Sequence, residues 1–220
     1  MKLAIRNTRA YFEKYALCVL EDYNPQKYQG LAILDKPDLQ DPNGVVGVEV
    51  TTADPLKELW AAAKFDKRRG TESKQKQKAI EEELKASGVT CSKGGLIFQN
   101  PDYNNTSVLN CIREKLERLN HIEDGERHYK PFPHYELFIS VTSLDHPQKE
   151  VFNLEQLLDQ MQSSFEHRFE IVFLFFHVGK MYVFDLERHS TSIVTISDEQ
   201  YARYKRSATE YVNSVDAMIE

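Results

Sequence analysis

Cysteine is scarce in this 220-residue chain: only Cys18, Cys91 and Cys111, none in a Cys-x-x-Cys spacing. An odd, widely spaced set excludes a disulfide framework and predicts reduced thiols in a cytoplasmic protein. Long apolar runs are missing as well. None approaches the roughly 20 residues of a membrane span, and the start, Met1-Lys2-Leu3-Ala4-Ile5-Arg6, has no signal-like apolar region, so no membrane partner is expected. No linker rich in Pro, Gly and Ser interrupts the chain, and no segment repeats. Positive charge is in deficit, with 28 Lys and Arg against 34 Asp and Glu and a net charge of −6. That excludes a uniformly basic nucleic-acid coat, though a local basic patch or a bound cation remains compatible with a phosphate ligand. Hydrophobic residues make up 41%, ample for one core and marginal for two, which predicts a single domain over residues 1–220.

What is present starts with a hairpin. Asp41-Pro42-Asn43-Gly44 puts four turn formers in a row: Pro presets φ, Asn and Gly tolerate positive φ, and Asp bonds its own backbone. Beyond it, Val46, Val48 and Val50 alternate with Gly47, Glu49 and Thr51. Strict alternation marks a half-buried strand, with the three valines facing the core and Glu49 and Thr51 sharing the other face, roughly 7 Å apart. With the four turn residues as the loop, Gln40 pairs with Val45, Asp38 with Gly47 and Lys36 with Glu49. Asp38 and Glu49 are then diagonal neighbours on one face, about 7–8 Å apart at Cα, and Gly47 leaves open space above them. A one-residue slip would present Asp35 instead. Two carboxylates on one face suit a hard divalent cation, because Mg²⁺ takes oxygen ligands and is satisfied by one or two carboxylates plus waters and substrate phosphate.

A helix carrying Glu13, then Lys36-Pro37-Asp38, then Gly47-Val48-Glu49-Val50-Thr51, resembles the PD-(D/E)XK nuclease superfamily. The motif resemblance covers about residues 9–65 and, more loosely, the element order of the whole chain. It implies a restriction-endonuclease-like α/β fold, a mixed central β-sheet flanked by helices. It implies Mg²⁺ (or Mn²⁺) as cofactor and nucleic acid, DNA in the first place, as partner, with a homodimer cutting both strands. By resemblance Asp38 and Glu49 are the metal ligands and Glu13 is the helical Glu of many members. Thr51 stands where the family usually has Lys. That lysine positions the attacking water and offsets developing charge, and Thr51 carries no positive charge. Lys36, opposite Glu49 in the expected register, and Lys64, on the following helix, are the candidates to replace it.

Elsewhere the patterns are helical or strand-like. Phe12, Ala16, Val19 and Tyr23 make the stripe of a helix begun at Asn7 or Thr8 and ended by Asn24-Pro25. Residues 55–90 read as a basic helical segment with Leu56, Leu59, Trp60 and Ala63 as its apolar stripe. Between Lys64 and Lys78 seven basic residues stand against two acidic ones, and Lys67, Arg68, Arg69 and Lys74 are candidates for contacts with a nucleic-acid backbone. The bland alternative is a solvated helical hairpin offset by Glu81-Glu82-Glu83. Gly94-Gly95 precedes a short strand but lacks phosphate-loop spacing. Ser107 to Leu119 is amphipathic, with Arg113, Lys115 and Arg118 expected as exposed charge. His121, His128 and His134 are too dispersed for a structural zinc site. Tyr135–Thr142 and Glu170–Phe176 read as buried strands, the latter the most central. Glu136, on the strand after the Pro-rich loop, is expected as a sheet-edge charge, the alternative being that it reaches the site. Asn153 caps a helix over 154–165, Val178-Gly179 leads into a strand over 181–186, and Asp198 opens a last helix.

Two functions follow. One is a metal-dependent deoxyribonuclease in the setting of bacterial defence or a mobile element. The other is a catalytically inactive relative serving as a binding or interaction module, favoured by Glu-x-Thr.

Overall fold

A computed structural model describes residues 8–53, 61, 64–65, 67–91, 96–98, 106–123, 126–127, 129–141, 154–176 and 179–219. The apolar stripe expected at 56–63 (Ala61 apart), the glycine pair at 94–95, His128 and Asn153 lie outside them.

The chain is α/β, with a seven-stranded mixed sheet between two layers of helices. Its strands are β1 (Ala32–Ile33), β2 (Leu39–Gln40), β3 (Val46–Thr52), β8 (His134–Val141), β9 (Phe169–Phe176), β10 (Lys180–Asp185) and β11 (Ser190–Thr195), side by side in that order. β1, β2 and β3 form an antiparallel meander. β3, β8 and β9 run parallel, and β9, β10 and β11 return to antiparallel pairing. As the alternation predicts, Val46, Val48 and Val50 are buried on one face. There they meet Tyr15, Ala16, Val19 and Leu20 of α1 (Thr8–Tyr23) and Tyr204 and Ala208 of α6 (Asp198–Ile219). The opposite face carries Leu137, Ile139, Val172 and Leu174. It packs under Val108, Ile112 and Leu116 of α4 (Thr106–Leu119) and Leu154 and Leu158 of α5 (Leu154–Gln162). α4 lies on the connection from β3 to its parallel neighbour β8, as parallel strands require a crossover. β9 is interior, its apolar run buried on both faces. β11 was not expected: Ser-Thr-Ser-Ile-Val-Thr has little apolar alternation, and it forms by pairing along β10 as the sheet's outer strand.

A separate piece follows β3. α3 (Lys74–Ala86) packs on the two-stranded sheet of β4 (Val89–Cys91) and β5 (Leu96–Phe98), and Ala61, Ile80, Leu84 and Val89 form its own small apolar cluster. Another two-stranded ribbon, β6 (Ile122–Glu123) with β7 (Glu126–Arg127), precedes β8. A short helix α2 (Pro25–Tyr28), capped by Asn24, follows α1 directly.

The hairpin departs from the expected register. Leu39 faces Val48 and Gln40 faces Gly47, so the ladder is displaced by two residues. The loop has moved one residue along the chain, to 42–45: Asp41 N–H donates to the Val46 carbonyl at 2.9 Å, the Asp41 carboxylate accepts from the backbone N–H of Asn43 and of Val45, and Val45 is exposed. A shift of two preserves which face each side chain takes. Asp38 and Glu49 therefore still share a face. The space above Gly47 is not open. A Cβ there would lie 2.5 Å from Pro37 Cγ and 3.0 Å from Phe132. Gly47 is what lets the Lys36–Pro37 turn fold down over β3. Gln40 secures that turn, its side-chain amide donating to the carbonyls of Asp35 and Pro37, each at 3.0 Å.

Gly47→Ala pushes the Pro37 ring and the Phe132 ring away at the segment that carries Asp38. A stability loss of about 1–3 kcal/mol is expected on overpacking grounds, read by urea denaturation, and an unchanged denaturation midpoint would count against this packing role.

Candidate functional site

The site lies where β2 begins, at Asp38 just before Leu39. β3 continues beyond it with an open edge, and its Val50 N–H has no strand carbonyl to meet. Asp38 takes that place: its Oδ2 accepts from Val50 N at 2.8 Å. A carboxylate is thereby fixed at the sheet margin, its side chain only 4% exposed. Glu49, one residue earlier on β3, points to the α4 side and is 2% exposed at its side chain.

Between them stands Lys115 of α4. Its Nζ lies 2.5 Å from Glu49 Oε2 and 3.8 Å from Asp38 Oδ2, and its side chain is 14% exposed. The helix reaches both carboxylates because its spacing matches that of the strand. Cys111 Sγ lies 3.5 Å from Thr51 Oγ1, and Lys115, one turn further on, lies over Glu49. Four helical residues advance about 6 Å and two strand residues roughly 7 Å, so the antiparallel helix and strand keep step over this stretch. Tyr129, from the segment after β7, adds a hydrogen bond to Glu49.

The other cation is Arg9, in the first turn of α1. Its Nε lies 2.6 Å from Glu13 Oε1, and its Nη2 lies 2.5 Å from Asp38 Oδ1 and 2.9 Å from Asp35 Oδ1. Arg9, Lys36, Lys115, Arg118 and His121 line a cavity of about 390 Å³ together with Asp38, Glu49 and Tyr129.

The electrostatics follow from burial against charge. Burial raises the Glu49 carboxyl above its usual range; Lys115 opposes the rise and Asp38 adds to it. Glu13 is raised by burial too, opposed by Arg9. Burial works against the Arg9 charge, but Asp35, Glu13 and Asp38 outweigh it and hold the guanidinium more firmly protonated than usual. Burial and the Glu49 charge together push the Tyr129 hydroxyl up, so it stays a donor.

The arrangement differs from the expected one in several places. Glu13 is near the pair but engages it through Arg9, not directly. Thr51 faces α4, as its alternation with Val50 requires, and meets Cys111. Lys36 is not opposite Glu49. The register shift leaves it outside β2, at φ 59° before a cis peptide to Pro37, on the cavity rim. Lys64 is occupied elsewhere, 2.8 Å from both carboxylate oxygens of Glu83. Arg68 is tied to Glu81, and Lys78 stands 3.9 Å from Glu82, so the acidic run of α3 does neutralise part of the basic segment. Lys67, Arg69 and Lys74 are exposed. Glu136 is neither near the site nor a sheet-edge charge: it is fully buried on the opposite face of the interior strand β8, 2.5 Å from Lys27 Nζ and 2.8 Å from the Tyr28 hydroxyl. Lys115 and Tyr129 were missed. Lys115 follows Ile112 by three residues and Cys111 by four, on the flank of the apolar stripe, which was the available signal that it faces the sheet. Tyr129 sits in a polar connection with no periodicity to place it.

The donor set suits a hard cation. Asp38 and Glu49 offer carboxylate oxygens beside one small cavity, which meets the Mg²⁺ preference for few carboxylates completed by water and phosphate oxygens. No group of three or more His, Cys, Asp or Glu gathers as a metal cage among the described residues. No described helix is long and apolar enough to cross a membrane, and the three cysteines are free.

Lys115→Met leaves Glu49 buried without its counter-charge. The folded state then holds the Glu49 proton more tightly than the unfolded chain does, so the variant loses stability as pH rises through that raised range. A deficit of about 2 kcal/mol against the parent is expected near neutrality, narrowing towards about pH 4, in denaturation curves recorded across pH. A pH-independent deficit would count against the pairing.

Comparison with models of known protein families, with curated proteins and with solved structures found no match at a significant level.

Proposed function

We propose that the protein is a divalent-metal-dependent nuclease that hydrolyses phosphodiester bonds in DNA, built on the restriction-endonuclease-like plan of the PD-(D/E)XK superfamily. The observation that carries this reading is Lys115 Nζ set between Asp38 and Glu49 at the floor of a cavity. The three chemical parts that Asp, Glu and Lys supply in that superfamily are thereby together, with the lysine brought by a helix instead of by the second position after Glu49.

Asp38 and Glu49 would hold Mg²⁺ or Mn²⁺, which when bound lowers the pKa of a water and polarises a phosphate oxygen. The chain's own groups do the rest. The Lys115 ammonium holds a water in line with phosphorus and offsets charge that builds on the phosphate oxygens as the water oxygen bonds to phosphorus and the ester P–O bond breaks. The proton lost by the water goes to solvent, and the departing alkoxide oxygen takes one from solvent. Val50 N–H fixes Asp38, and Tyr129 fixes Glu49. Arg118, Lys36 and His121 on the rim face the approaching backbone. Lys67, Arg69 and Lys74, exposed on the basic segment, extend the contact along the strand, and Arg68 is held back by Glu81. Cutting both strands of a duplex calls for two such sites, hence a homodimer.

One observation favours the inactive binding module instead: each carboxylate of the pair already has a protein cation within 2.5 Å. Both readings are tested together. Supercoiled, linear and single-stranded DNA are incubated with the parent, the Asp38→Asn and Glu49→Gln double variant, and Lys115→Ala, in Mg²⁺ or Mn²⁺. Cleavage by the parent, none by the double variant and a loss of about 10²-fold or more with Lys115→Ala are expected. Parent and double variant behaving alike would remove the nuclease reading; metal binding without cleavage would leave the binding module.

A further inference from the structure

Arg9 does something for this site that the proposed chemistry leaves unused. Its guanidinium touches Glu13, Asp35 and Asp38 at once, yet its own side chain is 65% exposed. Lys115, by contrast, is enclosed at 14%. One cation is built into the site and the other rests on it from outside.

The oxygens of Asp38 are divided between fixed and exchangeable partners. Oδ2 is committed to the backbone N–H of Val50 at 2.8 Å, with Lys115 at 3.8 Å. Oδ1 is covered by Arg9 Nη2 at 2.5 Å. Oδ1 is thus the lone-pair-bearing atom left for an incoming cation, and it is the one Arg9 occupies. The position of Arg9 is also electrostatically uneasy, because a cation in the first turn of α1 opposes the positive end of the helix dipole. It stays because three carboxylates outweigh that penalty. The long side chain is solvated over most of its surface, so it can leave without opening the core.

We propose that Arg9 is an exchangeable counter-ion that competes with the divalent cation for Asp38 Oδ1 and so sets the affinity of the site for metal; this rests on the metal-binding reading above. In the free protein Arg9 and Lys115 offset the charges of Asp38 and Glu49. When a divalent ion takes Oδ1, Arg9 is released at the cavity mouth, where a phosphodiester is its natural new partner. Metal and a phosphate backbone therefore bind with positive coupling, each favouring the state in which Arg9 has left Asp38.

The test titrates Mn²⁺ into the full chain by isothermal calorimetry, for the parent, Arg9→Ala, Arg9→Gln and Asp38→Asn, with circular dichroism showing that each is folded. Asp38→Asn keeps an acceptor for Val50 N–H and removes the charge. Losing the competing charge-assisted hydrogen bond should tighten Mn²⁺ binding about tenfold in both Arg9 variants and abolish the dependence on Arg9 pairing. Asp38→Asn should remove most of the binding. Equal affinity in the parent and both Arg9 variants, with binding still lost in Asp38→Asn, overturns the counter-ion role and leaves the metal site standing. No Mn²⁺ heat in any variant overturns both. Arg9→Gln covers the case in which Arg9→Ala fails to fold.

Discussion

Two carboxylates cannot stay ionised side by side in a protein interior without a cation between them. In this chain Lys115 is that cation for Asp38 and Glu49, and the architecture can be read outward from it. To bring Lys115 there, α4 must lie antiparallel to β3 with its polar flank turned to the sheet margin. That orientation is a by-product of the crossover between the parallel strands β3 and β8. To leave room for the ammonium, β2 must start late, and it does so at Leu39, just after Asp38. The meander's shortness, the crossover and the pair of buried acids are one structural solution.

The margin of the sheet is where two helical layers meet around a strand end. α1 covers one face and contributes Arg9 and Glu13; α4 covers the other and contributes Lys115. Neither layer alone could surround the carboxylates. The cations differ in exposure, and that contrast separates a fixed electrostatic part from a replaceable one. Glu136 shows the alternative fate of a buried acid: on the far face of β8, it is sealed between Lys27 and Tyr28 as a packed ion pair beneath the helical layer.

Much of this was legible from sequence and some was not, for identifiable reasons. Alternation at Val46, Val48 and Val50 assigned the buried face of β3 and hence the face of Glu49, because a period of two admits only two answers. The register was off by two because the loop sits one residue later: Val45 joined it, held there by the Asp41 side chain, while Asp41 left it to pair with Val46. An even shift leaves faces untouched, so the juxtaposition of Asp38 and Glu49 did not depend on it. The cationic partner was misassigned for a different reason. Lys36 and Lys64 were near in sequence, whereas Lys115 is 66 residues from Glu49 and its arrival depends on where a crossover helix lands. Helical periodicity marks Ile112 and Leu116 as inward-facing but says nothing about which flank meets which strand. Tyr129, in an irregular connection, carried no pattern at all. The open space expected over Gly47 was a packing error: the glycine is there so that Pro37 and Phe132 can close over it.

The hydrogen bond from Val50 N–H to Asp38 ends the ladder of β3 with a side chain instead of another strand. An unpaired strand edge is an invitation to intermolecular pairing, and a buried, charged acceptor lying along it withdraws that invitation. The carboxylate that the proposed function assigns to a cation is thus also a guard on a strand edge. Losing this aspartate would therefore bare the strand edge whether or not the site ever holds a metal.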